Sequence, residues 1–192
     1  MKRYIPLWII VLLCLAIVAY AWNPFVVCPG DGSAVCDQAS GTTIIGVNTS
    51  GSGSTKAANS INLSLREAQY NCTVDEIELF LENFTSGEYV TVGIYSADGN
   101  TLHGTSDQIQ GDNRDDFYTF TFSPAVSLDA GTWYNMAWHA SATIAGHAVS
   151  DQESDNKTKT IDRGSYSSTL PPTVNVTSMT DTYSWRMYGT NP

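Results

Sequence analysis

The stretch from Ser127 to Ala142, SLDAGTWYNMAWHASA, holds the side chains of this chain that are best suited to binding chemistry. If it forms a strand, Trp133, Asn135 and His139 project to one side, because successive side chains point to opposite faces of a sheet. A rigid indole ring beside an amide and an imidazole suits a sugar, which offers both an apolar ring face and hydroxyl groups. These three residues are therefore a candidate ligand-binding platform.

The opposite side of the same strand carries Tyr134, Met136 and Trp138, and this set is expected to face the hydrophobic core. Aromatic side chains in strands mostly serve packing, and that simpler role stays open for Trp133 as well. The alternation predicts core contacts between this set and residues of other strands, which are Ile77, Leu79, Val92 and Phe120.

A structural calcium ion is the one cofactor that the sequence suggests. Asp151, Glu153 and Asp155 alternate within SDQESDN, so an extended loop would point their carboxylates the same way. Carboxylate oxygens are the ligands that calcium, a hard cation, prefers. The alternative is a solvated polar loop. A second acidic run, residues 111–116, offers the same ligand type, and neither run matches the EF-hand loop.

The sequence argues against an enzyme and against nucleic-acid binding. It contains no nucleophile elbow, no HExxH pair and no phosphate-binding loop. Glu76 and Glu78 alternate with apolar residues, so a solvated sheet face explains them better than the paired acids of a glycoside hydrolase. We therefore expect no catalytic residues. A net charge of −10, with only 9 lysines and arginines, excludes a basic surface for phosphates.

The N-terminus predicts export. Lys2 and Arg3 precede an uncharged apolar run, Tyr4 to Trp22. The run fits a signal peptide with a cleavage site at Ala19-Tyr20-Ala21, and it also fits a transmembrane anchor of about 20 residues. Both alternatives place the rest of the chain outside the cytoplasm, secreted or membrane-anchored. The predicted organisation is a signal or anchor helix at residues 1–22, a lead-in at 23–40 and one domain at 41–192.

The cysteines suit an oxidising compartment, where disulfides persist. Cys28 and Cys36 bracket a turn-rich segment, which predicts a bridge between them and leaves Cys72 over, buried or paired with another chain. The main alternative is a bridge between Cys36 and Cys72.

Six sequons, N-x-S/T without proline, predict a glycosylated surface protein. The alternative is that a Ser/Thr-rich composition produces them by chance. The sequon at Asn71 is compromised if the neighbouring Cys72 is buried. The remaining candidate acceptors are Asn48, Asn62, Asn83, Asn156 and Asn175.

Period-two alternation predicts an all-β fold. Apolar residues alternate in VDEIELFLENF, EYVTVGIYS and DFYTFTFS, and turn signals at Asp98-Gly99 and at residues 129–131 separate the strands. Short strands without intervening helices are typical of an antiparallel β-sandwich. TYSWRMYG, residues 182–189, is the last predicted strand, and its Arg186 and Tyr188 are candidates to join the Trp133 face.

The order of these strands resembles a loose group of extracellular jelly-roll β-sandwich modules, similar to carbohydrate-binding modules of bacterial, archaeal and phage surface proteins. The shared landmarks are V-x-I-Y-S followed by D-G, at Val92–Ser96, and L-x-A-G-T-x-Y, at Leu128–Tyr134. The resemblance covers roughly Leu65 to Gly189. It implies a jelly-roll fold, and because its landmarks are structural, no ligand residue carries over.

Together these features predict a non-enzymatic extracellular protein that acts through interactions. The favoured hypothesis is a β-sandwich subunit of a surface assembly, such as a coat, a filament, a virion surface or the outer part of a membrane complex. Its partners would be other subunits or copies of itself, and the membrane through the N-terminal helix. The alternative is a carbohydrate-binding or adhesion module that uses an exposed aromatic strand face.

Overall fold

The computed structural model describes residues 42–49, 51–56, 58–149, 157–179 and 184–190. These residues form two antiparallel sheets in a β-sandwich, which confirms the predicted all-β class. The predicted N-terminal helix and lead-in, residues 1–40, lie outside the described residues. Among the residues described, no helix has the length and hydropathy needed to cross a bilayer.

The described residues contain thirteen strands. In chain order they are β1 (Thr43–Gly46), β2 (Ser52–Lys56), β3 (Ser60–Glu67), β4 (Cys72–Phe84), β5 (Tyr89–Ser96), β6 (Leu102–Thr105), β7 (Ile109–Gln110), β8 (Arg114–Leu128), β9 (Trp133–Ala140), β10 (Ile144–Val149), β11 (Thr158–Asp162), β12 (Ser184–Trp185) and β13 (Met187–Thr190).

Each sheet is organised around one long central strand. In the seven-stranded sheet, here sheet A, β4 pairs with β8 on one edge, and β13 and β10 share its other edge. Strand β1 flanks β13, while β2 and β12 flank β10. The six-stranded sheet, here sheet B, has the order β11-β3-β9-β5-β6, and β7 also pairs with β5. β4 is therefore the central strand of sheet A and β9 that of sheet B, and the alternating side chains of these two strands define the inner and outer faces of the sheets.

The inner faces of the two sheets form the main hydrophobic core, as the alternation predicts. Tyr134, Met136 and Trp138 of β9 belong to one buried cluster with the apolar rows of β4, β5 and β8. The cluster includes the four predicted partners, Ile77, Leu79, Val92 and Phe120. The predicted core face of the aromatic strand is therefore confirmed.

Two tryptophans join the sheets across this core. Trp138 of sheet B meets Trp185 of sheet A edge to face, with ring centroids 5.2 Å apart and an interplanar angle of 89°. Gly146 on β10 leaves room for both rings, since a Cβ at this position would lie 3.1 Å from each. Edge-to-face contact is a favoured arrangement for aromatic pairs.

The two predicted turns are confirmed. In the first turn, Gly99 has a φ of 72° and donates its N–H to the carbonyl of Ser96. In the second turn, Gly131 also has a φ of 72°, and the N–H of the next residue, Thr132, donates to the carbonyl of Asp129. Positive φ is costly for residues with a Cβ, which explains glycine at both positions. The second turn starts β9 at Trp133 and so determines which side chains face inward.

Cys72 is buried and disulfide-bonded. Its burial agrees with one of the two alternatives predicted for it, and the disulfide bond means that its sulfur is not a free thiol. The other cysteines of the chain, Cys14, Cys28 and Cys36, lie outside the described residues, and the predicted bridge lies there too.

Residues 163–179, here called the strap, run without regular structure across the outer face of sheet B. Leu170 and Val174 of the strap are buried against Leu63, Tyr95 and Ala137 of the sheet in a second, smaller hydrophobic cluster. The sequence pattern does not predict this cover, because the strap has neither strand nor helix periodicity.

Two strand predictions need correction. The Gly/Ser composition of residues 51–56 favours a flexible segment over a strand, yet this stretch contains β2, because its backbone pairs with β10 from Ser52 to Lys56. The predicted last strand is interrupted at Arg186, which separates β12 from β13.

Replacing Trp138 with alanine is expected to lower the free energy of unfolding by about 3–5 kcal/mol, because removing a fully buried indole leaves a cavity. Trp133→Ala is the matched control, and its ring is only partly buried, so its loss should be smaller. Denaturant melts measure both. A larger loss at Trp133 than at Trp138 would mean that the two faces of β9 are assigned the wrong way round.

Candidate functional site

The outer face of sheet A carries three aromatic rings and a histidine around one arginine. Phe80 on β4 lies opposite Phe117 on β8 in the strand register, with ring centroids 5.2 Å apart at 88°. The ring of Tyr188 on β13 meets Phe117 edge to face at 5.6 Å. We call Phe80, Phe117, His147, Arg186 and Tyr188 the aromatic face. All five side chains are partly exposed.

Arg186 is held at the junction of three strands. Its backbone N–H donates to the carbonyl of His147 on β10 at 2.7 Å, and its carbonyl accepts from the N–H of Phe80 at 3.1 Å. Its guanidinium lies 4.9 Å from the ring centroid of Phe80 and 4.5 Å from that of Phe117. A guanidinium over an aromatic ring is a favourable cation–π contact. The backbone and the rings therefore position this cation together.

Polar pairs border the rings. His147 lies 4.3 Å from Phe80 between ring centroids, and its Nε2 is 2.6 Å from Oε1 of Glu82. On the neighbouring row, the hydroxyl of Thr119 donates to Oε1 of Glu78 at 2.8 Å. The face thus combines apolar rings, one cation and carboxylates within a few strand positions.

Tyr188 lies opposite Glu78 in the register of β13 and β4. Burial raises the pKa of the Tyr188 phenol, the Glu78 carboxylate raises it further, and the Arg186 guanidinium opposes them. The phenol therefore stays neutral near pH 7 and keeps its O–H as a hydrogen-bond donor.

The predicted platform of Trp133, Asn135 and His139 is not open. Asn135 and His139 are 0% and 1% exposed. Asn135 donates through Nδ2 to the carbonyls of Ser96 at 3.0 Å and Ala97 at 2.9 Å, and the strap lies over His139. Of the two alternatives for this side of β9, an exposed platform does not hold for Asn135 and His139, because a segment distant in sequence covers them, while Trp133 is partly exposed.

Arg186 and Tyr188 do not join Trp133. The structure brings them together with Phe80 and Phe117 on the opposite sheet. The sequence does hold a signal for this site, because Phe80 stands between Glu78 and Glu82 on the polar side of VDEIELFLENF. We expected that side to be only solvated.

The predicted calcium ligands lie outside the described residues; they are Asp151, Glu153 and Asp155. In the second acidic run, Asp112 accepts hydrogen bonds from the Tyr118 hydroxyl and from Arg114 Nε, both at 2.6 Å. The hydrogen bond from Tyr118 is the largest effect that lowers the pKa of Asp112, and the hydrogen bond and charge of Arg114 lower it further. Across the described ranges, no group of three or more His, Cys, Asp or Glu side chains is arranged to hold a metal ion.

The sequons differ in accessibility. Asn62 is 0% exposed and its Oδ1 accepts from the Thr160 hydroxyl at 2.9 Å, so it is excluded as an acceptor in the folded domain. Asn48, Asn83 and Asn175 are exposed, and Asn156 lies outside the described residues. Asn71 is also exposed, but its Oδ1 accepts from the N–H of Ala130.

Asn175 borders an open groove of about 350 Å³ between the strap and the β5–β6 turn. The groove is lined by Asp98, Asn100 and residues 173–177. Asn175 accepts from the N–H of Thr177 through Oδ1, at 2.9 Å. The hydroxyl of Ser96 donates the hydrogen bond that lowers the pKa of Asp98 most, and the hydrogen bonds from Asn100 lower it further. The groove is mostly polar and includes the carboxylate of Asp98.

Comparisons of the chain with protein-family models and with curated proteins found no match. The site is therefore interpreted from its own geometry.

When the full chain is made in an N-glycosylating host, we expect glycan at Asn83 and Asn175 and none at Asn62. A transferase needs access to the amide nitrogen of the asparagine side chain. Of these three residues only Asn62 is buried, while Asn83 and Asn175 are exposed. Site-resolved mass spectrometry of tryptic peptides measures the occupancy. Glycan at Asn62 in correctly folded protein would contradict the placement of β3.

Proposed function

We propose that this protein is a non-enzymatic β-sandwich subunit of an extracellular surface assembly, and that the aromatic face of sheet A binds a second copy of the chain. The observation that carries the proposal is the asymmetry of the two outer faces. The chain uses the strap to bury the apolar side chains on the outside of sheet B. On the outside of sheet A, Phe80, Phe117 and Tyr188 remain partly exposed.

The composition of the aromatic face supports a protein partner. Aromatic residues and arginine are enriched at the centres of protein interfaces, where they contribute most of the binding energy. Arg186 is already held over two rings, so it loses little side-chain freedom when a partner binds. These features favour a preorganised contact.

The charges on this face favour a second copy as that partner. Arg186 is the cation of the cluster, and Glu78 and Glu82 lie on neighbouring positions of β4. A two-fold contact is self-complementary, since each patch meets the same patch of its partner. Arg186 of one copy would then face the glutamates of the other.

The extracellular location and the jelly-roll topology belong to the same proposal. A disulfide at Cys72 supports an oxidising compartment. The chain alternates between the sheets from β3 to β5 and again from β8 to β11, which supports a jelly-roll-like connectivity.

The alternative function is glycan binding by the same face. The observation that favours it is the pairing of Glu78 with Thr119 and of Glu82 with His147 beside the rings. Hydrogen-bonding groups beside rigid rings suit sugars.

The test compares Phe117→Ala and Arg186→Ala with two controls, Tyr70→Ala and Arg163→Ala. The controls remove an exposed aromatic ring and an exposed arginine elsewhere on the domain. Sedimentation of the full chain should give a self-association constant that weakens about tenfold or more in the first pair, as for interface hot spots, and is unchanged in the controls. Near-ultraviolet circular dichroism checks folding.

Three results would overturn the proposal in different ways. Wild-type chain that stays monomeric at all concentrations contradicts the second copy as partner. Glycan-array binding that Phe117→Ala abolishes would then establish the alternative. Equal weakening by Arg163→Ala and Arg186→Ala would place the contact elsewhere.

A further inference from the structure

The strap contains no strand, so single hydrogen bonds and apolar packing, rather than a backbone ladder, hold it to sheet B. The hydroxyl of Tyr95 donates to the carbonyl of Pro171 at 2.8 Å, and the N–H of Val174 donates to the carbonyl of Gly99 at 2.8 Å. Leu170 packs against Gly93, where any Cβ would collide with it. Beneath the strap, by contrast, β3, β9 and β5 form continuous ladders. The strap can therefore open without breaking the sheet.

His139 lies on β9 directly under this cover and is 1% exposed. Its ring is 4.9 Å from that of Tyr166 in the strap, and the hydroxyl of Tyr166 lies 3.1 Å from that of Thr91 on β5. Ile61 on β3 and Thr91 on β5 are its register partners on the two sides. The imidazole is thus enclosed by the strap and by both neighbouring strands.

Among the described residues, the charged side chain that acts on His139 is that of Arg163, which is positive. Arg163, at the start of the strap, disfavours a second positive charge there. The other titratable group facing the ring is the neutral phenol of Tyr166, and among the described residues no carboxylate contributes. A buried imidazolium without a carboxylate partner is unfavourable.

We propose that the strap is an acid-released cover: protonation of His139 opens residues 163–179 and exposes the outer face of sheet B, including Asn135, His139 and Tyr95. The chemical event is transfer of a proton from solvent to the lone pair of a ring nitrogen, and no other bond is made or broken. In the open state the imidazolium is hydrated and lies farther from Arg163.

The direction with pH follows from the pKa of His139. Burial is the largest effect that lowers the pKa of His139, and the positive charge of Arg163 lowers it further. Hydrogen bonds with the backbone of Asn59 and Ser167 raise the pKa and offset part of this shift. With the strap open the ring is solvated, and its pKa returns towards about 6.5. The open state then binds the proton more tightly, so closure is fully stable above about pH 6.5 and weakens as the pH falls through that value.

Hydrogen exchange of the full chain at pH 7.5 and pH 5, corrected for intrinsic exchange rates, tests this proposal. Peptides from the strap should lose protection at pH 5, by up to about tenfold for each unit between the open and closed pKa values. Peptides from residues 76–82 of β4 serve as the control and should keep their protection.

His139→Phe keeps an aromatic ring against Tyr166 and removes the titration, so the strap should lose its pH dependence. Arg163→Gln, at an exposed site, removes the opposing charge and should reduce the loss of protection. If His139→Phe does not fold, Arg163→Gln still decides. Wild-type strap protection that is unchanged at pH 5, or a loss of equal size in the variants, would overturn the proposal.

Discussion

The edge-to-face contact between Trp138 and Trp185 is the constraint on which the rest of this domain depends. It joins the central strand of sheet B to β12 of sheet A, and Gly146 leaves the space that both rings occupy. Because side chains alternate along a strand, two inward tryptophans determine what faces outward on each sheet. Asn135 and His139 point away from the core on one side, and Arg186 does so on the other.

The outer faces of the two sheets differ in their exposure to solvent. On sheet B, the strap adds a second apolar layer, and buried polar groups such as Asn135 satisfy backbone carbonyls beneath it. On sheet A, the aromatic face is built by cross-strand neighbours that remain partly exposed. Aromatic rings left at a surface beside a preorganised arginine are characteristic of contact surfaces. This contrast is the basis for the proposal that the protein acts as an interaction module.

Period-two alternation could predict the core strands and their faces, because Ile77, Leu79, Trp138 and their neighbours repeat with the pleat of the sheet. Glycine could predict the turns, since positive φ is a local requirement. Non-local features could not be predicted. The pairing of β2 with β10 overrides a Gly/Ser composition, and the strap covers the predicted platform without any periodicity of its own. The site around Arg186 depends on three strands meeting, which requires the register.

Hydroxyl-radical footprinting tests the central claim, the contrast between an open and a covered face, most directly. In the dispersed chain, Phe117 and Tyr188 should be oxidised readily while Tyr95, which is 0% exposed, should be protected. In the assembled chain, Phe117 and Tyr188 should become protected as well, while the exposed Tyr70 stays reactive. Oxidation of Tyr95 as ready as that of Phe117 in the dispersed chain would contradict the contrast between the faces, and equal oxidation of Phe117 and Tyr188 in the dispersed and assembled states would contradict the proposed contact.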